Sequence, residues 1–183
     1  NKILLQRNAV LKRSYENGML DAASIEVWDD RLVHFGELIH EKRVIFLTEF
    51  MPVFVCYFQT LADKGEVADI QYESQLSAHA FADLLREQHQ RDYYANHTTC
   101  GIHKDDFQFL LNGYPVRKFG SQGQQKSFLI ALKLAQFDYL KRMNGEVPLL
   151  LLDDVFDKLD YRRIQCLTHL VSQEHFGQVF MTD

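Results

Sequence analysis

The chain has few cysteines, and they carry no pattern. Cys56, Cys100 and Cys166 are odd in number, widely spaced and form no C-x-x-C. A disulfide framework and a four-cysteine metal site are therefore excluded, and a reducing, cytoplasmic setting is expected. Only three prolines and nine glycines are spread over 183 residues, with no repeat and no low-complexity tract, which excludes a solenoid, a collagen-like rod and a flexible linker protein. Positive charge is not in excess: 20 Lys and Arg stand against 25 Asp and Glu, a formal net charge of -5. No global basic field invites nucleic acid, so such binding has to come from a local patch or an assembled dimer.

A long apolar run is also missing. The most apolar window, 44–58, contains Glu49 and Pro52 and is shorter than the ~20 residues of a membrane span, so no membrane partner is expected. The chain opens at Asn1 without an initiator Met or a signal segment and reads as a piece of something longer. What is present is ample core material, 46% hydrophobic residues, enough for one domain or two small ones.

Hydrophobic spacing predicts a first helix over 2–15, stopped at Glu16-Asn17-Gly18, and a long second helix capped by Asp21 or Ser24. Its expected buried stripe is Ile25, Trp28, Leu32, Phe35, Leu38 and Ile39, with a bend or break at Pro52. A strand is expected over 67–72 and a helix over 78–93 capped by Ser77, with Phe81, Leu84 and Leu85 facing the core. Near Tyr94 the texture changes to short strands and turns. Residues 107–111 and 116–119 read as a hairpin around Asn112-Gly113. The domain expectation is a helical arm over 1–93 and an α/β head over 94–183.

The most informative run is VPLLLLDDVFDKLD, residues 147–160. Its apolar part suits a short strand buried on both faces of a mostly parallel sheet, and Asp153 and Asp154 arrive together at its carboxyl end, where open α/β sheets bind ligands. One aspartate can hold a magnesium ion through water while its neighbour polarises an attacking water. Before it lies Gly120-Ser121-Gln122-Gly123-Gln124-Gln125-Lys126-Ser127, a glycine-punctuated loop ahead of a helical pattern. Backbone N–H groups, a hydroxyl and a helix dipole there suit an anion such as phosphate, although Ser121 also reads as a plain N-cap. A helix from Tyr161 to about Gln173 and a last strand over 178–182 complete an alternation that predicts parallel strands joined by crossover helices.

In combination, these residues resemble the RecF recombination and repair proteins, members of the ABC-type ATPases that also include SMC and Rad50 heads. The resemblance runs through Leu5-Gln6-Arg7-Asn8, Gly101-Ile102-His103-Lys104-Asp105-Asp106, Leu111-Asn112-Gly113, the SQGQQKS block at 121–127 and residues 150–160. It implies an α/β fold: the carboxyl-terminal half of an ABC-type P-loop ATPase head, with a mostly parallel sheet, crossover helices and an α-helical arm before it. It further implies ATP and Mg2+ as cofactors. Ser121, Gly123 and Gln124 match the signature that faces the γ-phosphate held by the other subunit of a homodimer. Asp153 matches the Walker B metal aspartate, Asp154 the catalytic carboxylate, and Leu159-Asp160 the D-loop. The implied partners are DNA at single-strand/double-strand junctions and the RecO and RecR proteins, in the loading of recombinase at gaps.

Two departures stand out. No G-x-x-x-x-G-K-[ST] occurs anywhere, so the chain alone is expected neither to hold ATP tightly nor to hydrolyse it, and Ile102 replaces the family's usual proline. Alternatives are an SMC- or Rad50-type head, disfavoured because no heptad coiled coil precedes the SQGQQ block, and a non-enzymatic interaction module. Zinc on His97, Cys100 and His103 lacks a fourth ligand, and calcium on Asp153, Asp154, Asp157 and Asp160 lacks the order of an EF-hand. His103 to Asp106 reads as a brace ahead of a DNA contact. The basic residues Lys2, Arg7, Lys12 and Arg13 read as a solvated face, and as the first place to look for DNA contact.

Overall fold

A computed structural model describes residues 2–182. The elements in order are helices α1 (Lys2–Glu16) and α2 (Ala22–Leu61), strand β1 (Ala68–Glu73), helix α3 (Phe81–Ala95), strands β2 (Asp106–Leu111) and β3 (Tyr114–Pro115), helices α4 (Val116–Phe119) and α5 (Gln122–Asn144), strand β4 (Leu150–Leu152), helix α6 (Tyr161–Val171) and strand β5 (Val179–Met181). They form two compact units, each drawn from two stretches of chain. One comprises Asn1–Phe46 and Tyr72–Phe107, the other Leu47–Gln71 and Gln108–Asp183.

The first unit is helical. Its core cluster is Phe81, Leu84, Leu85 and Cys100, with Leu32, Val33 and Leu76 packed against it. Phe81 reaches this place because glycine stands on both sides of its ring: a Cβ at Gly36 or at Gly101 would lie 2.4 Å from a ring carbon. The face of α2 that is buried here is therefore not the expected stripe. Ile25 is buried and Leu32 packs against the core, but Phe35, Leu38 and Ile39 are exposed, and Asp29 lies on the buried side.

That aspartate belongs to a buried ionic network. Arg7 of α1 is fully buried; its Nε donates to Asp29 Oδ1 at 2.5 Å, and its Nη1 donates to Asp92 Oδ2 at 2.6 Å and to Thr98 Oγ1 at 2.8 Å. Burial works against its charge, but the hydrogen bonds and charges of Asp29 and Asp92 outweigh that and raise its pKa. Asn8 accepts the Thr98 N–H at 2.9 Å, and Asp92 accepts the Thr99 N–H at 2.8 Å, so α1 is fixed to α3 and the loop after it. Arg7 is thus removed from the candidate DNA-facing residues.

In the second unit Pro52 lies inside α2 without ending it. An interior proline costs about 3 kcal/mol or more, and burial of Phe50, Phe54, Phe58 and Leu61 on the surrounding turns offsets this. Phe54 meets Phe128 of α5 at a ring-centroid distance of 4.9 Å, and Phe58 meets it at 5.7 Å. By length and composition α2 is the one helix among the described residues able to cross a membrane, yet these phenylalanines already have a protein core around them.

Asn112 (φ 52°) and Gly113 (φ 81°) make the tight hairpin turn between β2 and β3, in the register Leu111↔Tyr114 and Leu110↔Pro115. The returning strand stops there. Residues 116–119, expected to continue it, form the single turn α4 instead: Pro115, still extended (ψ 114°), is its N-cap, and Gly120 N–H closes the turn on Val116 C=O at 2.9 Å. Two other boundaries moved: α3 begins at Phe81 with no side-chain cap, and Ser77 instead ends a short 3-10 turn that Ser74 caps.

β4 and β5 pair in parallel, Leu150↔Val179 through Leu152↔Met181, with α6 as the crossover. The expected alternation of strand and helix holds. Burial on both faces does not: Leu150 and Leu152 are buried, whereas Leu149, Leu151 and Phe180 are exposed on a two-stranded sheet.

Candidate functional site

The predicted site residues lie at the starts of two helices and the end of one strand, all in the second unit. Ser121 is the N-cap of α5, so residues 122–127 are its first turns rather than a loop. Its hydroxyl accepts the Gln124 N–H at 3.2 Å while the Gln124 side chain accepts the Ser121 N–H at 2.8 Å, a complete capping box. Gln124 is used twice, since its Nε2 also donates to Glu66 Oε1 at 2.7 Å. An accepting hydroxyl still carries its own hydrogen, so Ser121 O–H remains a donor at the positive end of a 23-residue helix.

Asp153 and Asp154 follow β4 directly and are exposed. The chain turns sharply between them and Val155, with Asp154 at φ 52°, a left-handed conformation that aspartate tolerates better than most residues. Thr182, just past β5, holds this turn: its hydroxyl donates to Asp153 Oδ1, and its Oγ1 accepts the Asp154 N–H at 3.0 Å. The ladder also runs one step further, from Thr182 N–H to Leu152 C=O at 3.0 Å and from Val155 N–H to Thr182 C=O at 3.2 Å.

Lys126 of α5 donates to the Asp154 carbonyl at 2.5 Å, joining the capped helix start to the acidic strand end. Asp160 is the N-cap of α6 and accepts the Arg163 N–H at 2.9 Å. Gly123 lies against that second helix start. A Cβ there would come within 2.7 Å of Arg163 Nη1 and 3.2 Å of the Lys158 carbonyl, so any larger residue has to displace the guanidinium. Ser121, Gly123 and Gln124 are therefore linked to Asp154 through Lys126 and to the 158–163 turn through Gly123.

Four residues that the sequence reading did not single out complete the arrangement: Lys126, Thr182, Glu66 and Arg163. Lys126 stood within the quoted block without a role. Thr182 and Glu66 had no local signal, because their contacts are made 28 and 58 positions away along the chain.

The remaining candidates lie in the first unit. Cys100 is buried, and burial first, then the nearby Asp92, pushes its thiol up to about 11, a poor starting point for a thiolate ligand. His97 is exposed and bonded to the Ala95 carbonyl at 2.7 Å, and His103 Nε2 pairs with the Thr98 carbonyl at 3.1 Å. Asp105 accepts from the Tyr72 hydroxyl and from Arg43 Nη1 at 3.0 Å, while Arg43 also donates to the Ile102 carbonyl at 2.9 Å. In the HKDD stretch, His103 and Asp105 thus act as internal braces.

No family model matches the chain. Among curated proteins it is similar over its whole length to DNA replication and repair protein RecF of Azobacteroides pseudotrichonymphae (46% identical), of Flavobacterium johnsoniae (45%) and of Cytophaga hutchinsonii (41%). It spans about half the length of these relatives: 50%, 51% and 48%. Among solved structures, the recombination mediator protein RecF with ATP, of the RecFOR pathway, superposes with a TM-score of 0.83 at 27% identity, covering 100% of this chain and 50% of that one. A second RecF structure, with ATPrS, gives 0.81 at 29% identity with the same coverage. The fold is thus that of half of an ABC-type RecF head with its helical arm, and the chain belongs to the RecF family of DNA replication and repair proteins.

Proposed function

We propose that the chain supplies one face of a shared ATP site in a RecF-type protein of DNA repair and replication. The observation that carries this reading is the junction at Lys126, which brings a helix start with free donors to a strand end bearing two exposed carboxylates.

The residues present suit both groups. Ser121 keeps a hydroxyl hydrogen to donate, and the N–H groups of Gln122 and Gly123 lie in the first helical turn, where they have no partner within the helix; together they match a phosphate oxygen. Asp153 is the residue that would hold magnesium, with one carboxylate oxygen fixed by Thr182, in keeping with the one or two carboxylates this ion takes beside phosphate and water. When bound, the metal supplies positive charge to a terminal phosphate. Asp154 accepts a proton from, or orients, the attacking water. Its backbone N–H donates to Thr182 Oγ1 and its carbonyl accepts from Lys126, so its carboxylate projects from a fixed turn. Gln124 acts through position, because both ends of its amide are already engaged. Asp160 orders the turn that meets Gly123.

The chain contains no G-x-x-x-x-G-K-[ST], so by itself it neither holds ATP tightly nor turns it over. In a protein of the relatives' full length, ATP joins two copies head to head, with Ser121 and Gly123 of one copy facing the nucleotide of the other, and hydrolysis releases them. The RecF relatives' printed role in replication and repair and the RecFOR setting of the solved structures support DNA, RecO and RecR as partners; single-strand/double-strand junctions as the DNA target and a cytoplasmic location are what the family resemblance implies.

The test is ATP turnover by a full-length protein carrying this chain, with and without Asp154→Asn. A fall of about 10²–10⁴-fold with ATP binding retained is expected for loss of a general base. Unchanged turnover rejects the assignment.

A further inference from the structure

Three stretches far apart in sequence meet around one buried guanidinium. Arg163 Nη2 donates to Asp63 Oδ2 at 2.7 Å and lies 3.8 Å from Glu66 Oε2, and Nη1 lies 3.6 Å from Asp160 Oδ2. Glu66 in turn accepts from the Gln124 amide at 2.7 Å and, through its other oxygen, from the Asp63 N–H at 3.0 Å. Gly123 and the Lys158 carbonyl close the remaining side, so the guanidinium fills the gap between the start of α5 and the turn before α6. Its Nε is buried with no partner. Were filling this gap the only requirement, a methionine of similar reach would do so without an orphaned donor, so the charge and the planar fork are what the position uses.

We propose that Arg163, with Glu66 as its relay to Gln124, is a positioning residue that locks the Ser121–Gly123 turn to the Lys158–Asp160 turn, so that the two move as one body. The proposal rests on the site assignment above for its consequence: a nucleotide contact at Ser121 and a dimer contact at Asp160 become one cooperative event. The coupling itself contains no nucleotide. Glu66 holds Gln124, Gln124 holds Ser121 through the capping box, and Arg163 holds Glu66, Asp63 and Asp160 together. Lys158 is in the left-handed region (φ 64°), so the turn it belongs to has few conformations available once its carbonyl is held against Gly123.

The test is residue-resolved amide exchange on the 183-residue chain. It reads Gln124 and Gln125, both bonded to Ser121, and Leu159, Arg163 and Ile164, bonded to Phe156 and Asp160. Arg163→Gln is expected to speed both groups together by about tenfold or more, the equivalent of one charge-assisted hydrogen bond, and to leave the Leu150 and Thr182 amides of the β4–β5 ladder unchanged. Arg163→Lys recovers only part of the protection, since one ammonium cannot span three carboxylates. Gly123→Ala, which displaces the guanidinium, is expected to speed both groups, and to add nothing in an Arg163→Gln background. A response confined to one group, or effects of Gly123→Ala and Arg163→Gln that multiply, overturns the proposal. Should Arg163→Gln not fold, Glu66→Gln keeps the shape and removes the charge: acceleration of both groups supports the lock, and acceleration of neither overturns it. None of these readouts involves ATP, so failure here is distinct from failure of the Asp154→Asn test.

Discussion

Each unit buries an arginine, but the two are used differently. Arg7 in the first unit is enclosed by two helices and a loop, with an aspartate on each of two nitrogens, and its network continues from Asp29 Oδ2 to the half-buried His89 at 2.6 Å. Arg163 in the second unit lies beside Gly123 and the Asp160 cap, one step from the candidate site. The cores around them differ as well. The second unit is centred on Phe54, Phe58 and Phe128, whereas the first has Asp29 and Asp92 close to its apolar cluster. Burying a charge network is costly and directional, and what it gives is a single register. In the first unit charge holds α1 in place; in the second it joins the two turns of the proposed site.

Truncating the two cores gives the largest expected effect and the sharpest contrast. Arg7→Ala leaves Asp29 and Asp92 without their cation and is expected to cost about 3–5 kcal/mol. Phe54→Ala is expected to cost about 3–5 kcal/mol through the cavity it opens among the rings. Rescue tells them apart. Phe54→Leu should restore part of the loss because it refills volume, while Arg7→Met should restore little because the missing partner is a charge. Urea midpoints at constant slope measure both, and full rescue by Arg7→Met would show that the first unit also depends on packing alone.

A smaller effect is expected where the second unit meets solvent. Ser121→Ala removes the hydroxyl half of the capping box and should cost about 0.5–2 kcal/mol, with Gln124 amide exchange rising first. Ser121→Asp should retain the cap while placing a negative charge where a phosphate is proposed. Capping and nucleotide contact are thereby separated: a stable Ser121→Asp protein that has lost ATP-dependent dimerisation, measured in the full-length setting, supports the site assignment.

The difference between the units also explains what was legible in the sequence. The hairpin at Asn112-Gly113 and the crossover from β4 to β5 were readable because each is set by local chemistry, a positive-φ turn in one case and alternating apolar and helical runs in the other. Asp153, Asp154 and the SQGQQ block, the residues of the proposed site, could be singled out for the same reason, being contiguous. The buried face of α2 was not. Phe35, Leu38 and Ile39 have helical spacing, yet the face turned inward carries Asp29 and Gly36, whose suitability depends on Arg7 and Phe81 arriving from elsewhere. Arg7 looked like part of a basic helix face for the same reason: nothing local says that two aspartates 22 and 85 positions away will enclose it. Residues 116–119 failed differently: the strand ends at Pro115 and a single turn closed by Gly120 N–H on Val116 C=O follows, which a pattern of alternation cannot show.

The smallest expected effect is the most selective for the first unit. His103 is half-buried, with Nε2 against the Thr98 carbonyl; burial pulls its pKa below 6.5, a pull that Lys104 adds to and that the Thr98 bond, Asp92 and Asp105 only partly oppose. A histidine whose folded pKa is lowered binds its proton more readily when unfolded. Its contribution to stability is therefore complete above pH 6.5, declines as pH falls from 6.5 towards the folded value, and is level below that. The Thr98 carbonyl belongs to the residue that also accepts from Arg7, so protonation of His103 is felt at the edge of the ionic network. Protection of the Thr98 and Thr99 amides, taken relative to their intrinsic exchange rates, should fall as pH drops through that interval in the wild-type chain, and His103→Gln, which keeps a donor and cannot titrate, should abolish the fall. The Gln124 amide in the second unit should show no matching step. An equal step in both units would mean that acid acts on the molecule as a whole, and the contrast drawn from Arg7 and Arg163 would not extend to pH.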